Sequence, residues 1–241
     1  MGFAHVLNTL SDGQRKTPSN NLKIIRGGCL LRSARNKGTN PVCHAFLNDS
    51  RFYRYLFLID QDIAADVQSE GCLHCGGALH SACYPRKPRG LRTALDASYE
   101  TRLSFCCARE GCRRRTTPPS VRFLGRKVYL GVIIILVAAM EHGLTPRRRR
   151  QLIEQLDLYP QTLSRWRQWW RESFPSSRCW QAERGNYVPP VATSQLPGSL
   201  LGRLQGGDLK HRLCLLLRLI APLTTTSCSS SLRVMINPQK M

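Results

Sequence analysis

Acidic residues are scarce in this chain: 15 Asp and Glu stand against 36 Lys and Arg in 241 residues. The few carboxylates are scattered, and beyond residue 178 only Glu183 and Asp208 remain. Phosphoryl transfer of the two-metal kind needs clustered carboxylates to hold its cations, so a transposase-type catalytic domain has no place here. A Walker-type phosphate loop and a nucleophile elbow are also missing. The chain is therefore expected to bind rather than to catalyse. Long apolar runs are missing as well. The longest, residues 128–140, has thirteen residues and is fenced by Arg126-Lys127 and Glu141-His142, whereas a membrane-spanning helix needs about twenty. It reads as a buried core helix capped by Gly143, and no membrane partner is expected. No charged segment followed by an apolar core and a small-residue cleavage site opens the sequence. A cytoplasmic, reducing location is the expectation.

The net charge is +21 and the pI about 10.3. Such a charge attracts a polyanion, and nucleic acid is the usual one, with an anionic membrane surface as the rival. Arginine dominates the basic set, and its planar fork suits phosphate and guanine edges.

The 11 cysteines are an odd number, and several stand at metal-ligand spacing rather than as a disulfide framework. Cys72-Leu-His-Cys75-Gly is a knuckle in which Gly permits the tight turn between two thiolates. About thirty residues on, Cys106-Cys107 and Cys112 offer a second pair, Cys107-x4-Cys112, which would close a tetrahedral site for a structural Zn2+. Cys106 competes with Cys107 for one place. Leu103, Phe105 and Cys107 share a face if the segment is a strand, which favours Cys107. The expected ligands are Cys72, Cys75, Cys107 and Cys112, with His80 the first substitute. A Cys/His enzyme using His74, His80 or Cys83, and a zinc-held basic scaffold for protein partners, are the alternatives.

Around this core the chain divides by pattern. Residues 1–48 lack periodicity and read as disordered or as a non-native extension. Phe52, Leu56, Ile59, Ile63 and Val67 recur at helical spacing, so 49–70 is an amphipathic helix leading into a ribbon over 71–119. Between the knuckles, Tyr84-Pro-Arg-Lys-Pro-Arg-Gly90 is an extended basic loop. Arg113, Arg114 and Arg115 follow the last ligand.

Residues 120–178 read as three helices. Thr145-Pro146 is a helix start, with Thr as cap and Pro at the first position. Arg147, Arg148, Arg149 and Arg150 precede the apolar stripe Leu152, Ile153, Leu156. After the short turn Asp157-Leu158-Tyr159, Pro160 opens a third helix. A turn of that length between two helices describes a helix-turn-helix. At about 100° per residue, Leu163, Trp166, Trp170 and Phe174 fall on a packed face, and Gln161, Thr162, Arg165, Gln168 and Trp169 on the other. Arg and Gln suit guanine and adenine edges, and the Thr methyl suits thymine. The run Arg147–Arg150 suits phosphates, whose charge would offset four cations at a helix N-terminus.

The motifs Cys72-x2-Cys75-Gly, Cys107-x4-Cys112-Arg and Thr162-Leu-Ser-Arg165-Trp166 resemble those of zinc-ribbon plus helix-turn-helix proteins of bacterial mobile elements, transposase subunits or accessory proteins. The resemblance covers about residues 50–178. It implies that ribbon and helices bind element DNA as a duplex or serve assembly with a transposase or integrase, while catalysis lies elsewhere. The second knuckle, wider than the Cys-x-x-Cys usual in that group, departs from the pattern. Residues 179–208, rich in Pro and Gly, are expected to be a linker, and 209–241 a short helix with a disordered tail. The expected fold is mainly α with a small β zinc ribbon and a helix-turn-helix module.

Overall fold

The computed structural model of the chain describes residues 49–86, 97–124, 129–139 and 145–225. Residues 1–48, most of the basic loop after Arg86, the expected cap Gly143, the Arg148 side chain and the tail beyond 225 lie outside the described residues. The fold is mostly helical, with a small antiparallel sheet. Among the described residues no helix is long and apolar enough to cross a membrane.

The first helix, α1 (Ser50–Glu70), forms where the apolar spacing requires it. Asp49 caps its start by accepting from the Arg51 N–H at 3.0 Å, and Gly71 ends it at φ 77°. One face packs into two separate apolar clusters. Phe52, Tyr53, Leu56 and Ile59 join the large helical core, while Ala64 and Val67 meet Cys72, Leu79, Phe105 and Cys107.

Among the described residues five short strands follow: β1 (Leu79–Ser81), β2 (Tyr84–Pro85), β3 (Thr101–Arg102), β4 (Phe105–Cys107) and β5 (Arg115–Thr116). They make a three-stranded sheet in the order β1-β4-β5 and a β2-β3 pair, all antiparallel. The register sets Leu79 opposite Cys107 and His80 opposite Cys106. Alternation then buries Phe105 and Cys107 and turns Cys106 to the other face.

The apolar run becomes α2 (Gly131–Ala139), and every residue from Gly131 to Ala138 is buried. A helix apolar all round needs cover on all sides. It receives this from α4 (Pro160–Gln168) and α7 (Leu209–Ile220), with α3 (Pro146–Leu156) beside α4. A Cβ on Gly131 would stand 2.8 Å from Leu217 Cδ2 and 3.3 Å from the Val121 carbonyl oxygen, so α2 and α7 pack closely here.

Residues 179–208 are not a linker. α5 (Arg178–Glu183) and α6 (Gly198–Leu201) carry Trp180, Leu200 and Leu201 into the main core, joined by Val191, Leu196 and Leu204. The prolines and glycines that suggested a linker bend this segment over the helices, and its apolar residues have no single period to reveal them.

Sheet and helices are joined by a buried ion pair. Arg122 Nε lies 2.7 Å from Asp60 Oδ2, with the side chains 0% and 1% exposed. Asp60 also accepts from Ser120 Oγ and the Val121 N–H. The Arg122 guanidinium donates to the Tyr99 and Thr101 carbonyls at 2.6 and 2.8 Å and stacks near Phe57, Tyr99 and Phe123. Asp60→Ala leaves a buried guanidinium without its counter-charge, and denaturant unfolding is expected to show a loss of about 3–5 kcal/mol. Arg122→Met in that background should restore part of it. A loss under about 1 kcal/mol would assign the pair no structural weight.

Candidate metal centre and basic helical face

Two turns bring the four cysteines together. In the first, the Cys75 and Gly76 N–H groups donate to the Cys72 carbonyl, and the Cys72 N–H donates to Gly77 O at 2.9 Å. Gly76 takes φ 66°, as the turn requires. Gly77 is needed for another reason: a Cβ there would stand 3.2 Å from Cys107 Sγ and 3.3 Å from Cys75 Sγ. The second turn accommodates its extra two residues by curling. The Cys112 and Arg113 N–H groups both donate to Arg109 O, while Gly111 and Arg113 adopt φ 80° and 44°. Arg109 Nη1 reaches back to the Cys75 carbonyl at 3.1 Å and ties the turns together.

The Sγ atoms of Cys72, Cys75, Cys107 and Cys112 all lie within 4.8 Å of one another. Cys72 and Cys112 are 3.8 Å apart, Cys75 and Cys107 3.4 Å. A tetrahedral ion with bonds of about 2.3 Å sets its sulfurs about 3.8 Å apart, so these four residues could hold one metal ion. Cys106 is excluded by its direction, its thiol facing the Arg113 carbonyl at 3.4 Å. His74, His80 and Cys83 are exposed and outside the cluster.

The thiols are electrostatically unequal. Cys72 is lowered to about 7 by the N–H groups of His74 and Cys75. Cys107 is pushed up to about 12: the Arg109 N–H pulls it down, but burial and the neighbouring thiols outweigh it. A divalent ion would replace the protons of these thiols.

The chain matches no protein-family model, no curated protein and no solved structure.

The second candidate site lies on α3 and α4. α3 ends at Leu156, Asp157 turns the chain at φ 48°, and the Leu158 N–H donates to Ile153 O at 3.0 Å. Leu158 is buried, Tyr159 is exposed, and Pro160 starts α4. On α4, Leu163 and Trp166 pack inward, Trp166 edge-on to Tyr129 at 5.2 Å. Gln161, Ser164, Arg165 and Gln168 form an exposed stripe. Gln168 Nε2 donates to Glu172 Oε2 at 2.9 Å.

Two residues of the expected outward face are not on it. Thr162 is only 6% exposed, because it stands one turn before Trp166 and shares its side of the helix. Trp169 is half-buried, edge-on to Trp170 and tilted against Phe174. The physical reason is a widened π-turn, Trp169–Ser173, closed by the Phe174 N–H on the Trp169 carbonyl at 2.8 Å. A wheel of constant pitch does not anticipate it. Arg147, Arg149 and Arg150 are exposed on α3, and Arg149 Nη2 donates to Pro160 O at 3.4 Å. Arg113, Arg114 and Arg115 are exposed beside the second turn, with Arg115 over the Tyr84 ring at 5.4 Å. Ser164, Arg109 and Gly77 escaped the sequence reading. Only Ser164 had a signal, its place between Gln161 and Arg165.

Native mass spectrometry is expected to find one bound metal ion per chain. Cys107→Ser should lose it and Cys106→Ser should retain it; the reverse would move the site. Gly77→Ala should lower metal affinity while leaving the cysteines in place.

Proposed function

We propose that the chain is a non-catalytic, zinc-stabilised protein that binds duplex DNA. The observation that carries this reading is the exposed stripe Gln161, Ser164, Arg165, Gln168 on a helix set off by a three-residue turn, with exposed arginines on the helix before it. In this reading α3 and α4 are the two halves of a helix-turn-helix. Gln161 and Arg165 meet base edges, which offer acceptor pairs to Arg and mixed pairs to Gln. Gln168 joins them on release from Glu172. Arg147, Arg149 and Arg150 meet phosphates. Arg113, Arg114 and Arg115 extend the basic surface beside the sheet. Thr162, being buried, supports the helix instead of reading a base.

Zinc suits four thiolates in a tetrahedral arrangement, and a site so filled is closed, giving it a structural role rather than an open position for substrate. The resemblance to zinc-ribbon plus helix-turn-helix proteins of mobile elements supports a role beside a transposase or integrase, in the cytoplasm.

Fluorescence anisotropy with short duplexes across a salt series tests the reading. Binding should weaken steeply with salt, because each neutralised phosphate releases counterions. Arg165→Ala should cost about 1–3 kcal/mol on a preferred duplex and flatten discrimination between duplexes. Arg147→Ala with Arg150→Ala should weaken all duplexes alike and reduce the salt slope by about one unit per lost contact. A salt-independent signal, or no binding at low salt, would sink the proposal.

A further inference from the structure

Where the end of α2 faces α3 and α4, the helices leave a cavity of about 510 Å³. Small-molecule sites occupy about 300–1,000 Å³ and combine apolar walls with a few directed polar groups. This cavity has both. Val137, Ile153, Leu163 and Trp166 make apolar walls, and Val137, Leu163 and Trp166 are themselves part of the buried core. Three arginines line it as well: Arg149 and Arg150 from α3, Arg167 from α4. No carboxylate is found among the described lining residues. Arg149 is steadied by its bond to the Pro160 carbonyl. Desolvation and the nearby Arg171 hold Arg167 below its usual value, so positive charge is crowded on this side of α4.

Apolar walls under a cationic rim define one ligand chemistry. Water in such a space finds few partners, an apolar body displaces it favourably, and an anionic head is drawn to the arginines. We propose that the cavity between α2, α3 and α4 binds a small amphipathic anion, an aromatic or acyl body bearing a carboxylate or sulfonate. We further propose that this ligand weakens DNA binding by drawing Arg149 and Arg150 away from phosphates. The second half rests on the reading of α3 and α4 as a duplex-binding surface; the first does not.

The test uses the full-length, zinc-loaded chain. Anilinonaphthalene sulfonate is titrated by fluorescence, with the uncharged N-phenylnaphthylamine as its counterpart and decanoate as competitor. One saturable, decanoate-displaceable site per chain is expected, and the uncharged probe should bind at least about tenfold more weakly. Arg149→Gln with Arg150→Gln, both exposed, should weaken the sulfonate about tenfold at an unchanged melting temperature. Ile153→Trp should block the space without altering the charge. Equal affinity for the uncharged probe, many weak sites, or undiminished binding in both variants would overturn the ligand site. Duplex anisotropy is then repeated with decanoate at saturation, where a loss of about fivefold or more is expected. Unchanged duplex affinity would overturn the control of DNA binding and leave the ligand site standing. Absence of duplex binding under every condition would remove both the control and the proposed function, while the probe titration still decides the site.

Discussion

Everything else in this structure is arranged about the pair Asp60–Arg122. Its two charges come from α1 and from the segment leading to α2, and the remaining guanidinium donors hold the Tyr99 and Thr101 carbonyls at the start of β3. Three parts of the chain distant in sequence are therefore fixed at one point. A buried pair contributes little net stability relative to an apolar substitute, because desolvation of both ions offsets their attraction. Its effect here is positional. A hydrophobic contact tolerates sliding, whereas a carboxylate accepting from Ser120, Val121 and Arg122 defines one arrangement.

That fixed point matters because the molecule has two apolar clusters of very different size. The helical core includes most of the buried side chains, while the one beneath the sheet consists of Ala64, Val67, Cys72, Leu79, Phe105 and Cys107 with a few neighbours. So small a cluster cannot offset the entropy of ordering its turns, and small units of this kind need a staple. The four cysteines, two of them members of the cluster itself, are positioned to hold one. α1 spans both clusters, so the ordering of the cysteine turns and the packing of the helices share one rigid element.

The sequence made some of this legible and hid the rest for physical reasons. The helical spacing of Phe52 to Val67, the thirteen-residue apolar run and the Pro-led starts of α3 and α4 are local signals, and each marks a helix. Strand alternation separated Cys107 from Cys106, because period-two patterning survives in short strands. Asp60 and Arg122 gave no warning: one of three Asp residues on an amphipathic helix looks solvated until its partner, 62 residues away, is folded against it. Thr162 lies about 40° from Trp166 on a regular helix, so its burial was legible in the spacing, whereas the half-burial of Trp169 accompanies a π-turn that periodicity does not show. Residues 179–208 were missed because packing without periodicity leaves little trace in a single sequence.

The all-round burial of α2 also has a consequence for how the protein is made. Its cover includes α7, whose first residue follows the end of α2 by about seventy positions. At a synthesis rate of about 5–20 residues per second, α2 waits about 4–14 s on the ribosome before that cover exists. α7 packs closely there, with Leu217 against Gly131. Until α7 is made, the nascent chain therefore carries an apolar helix without its full cover.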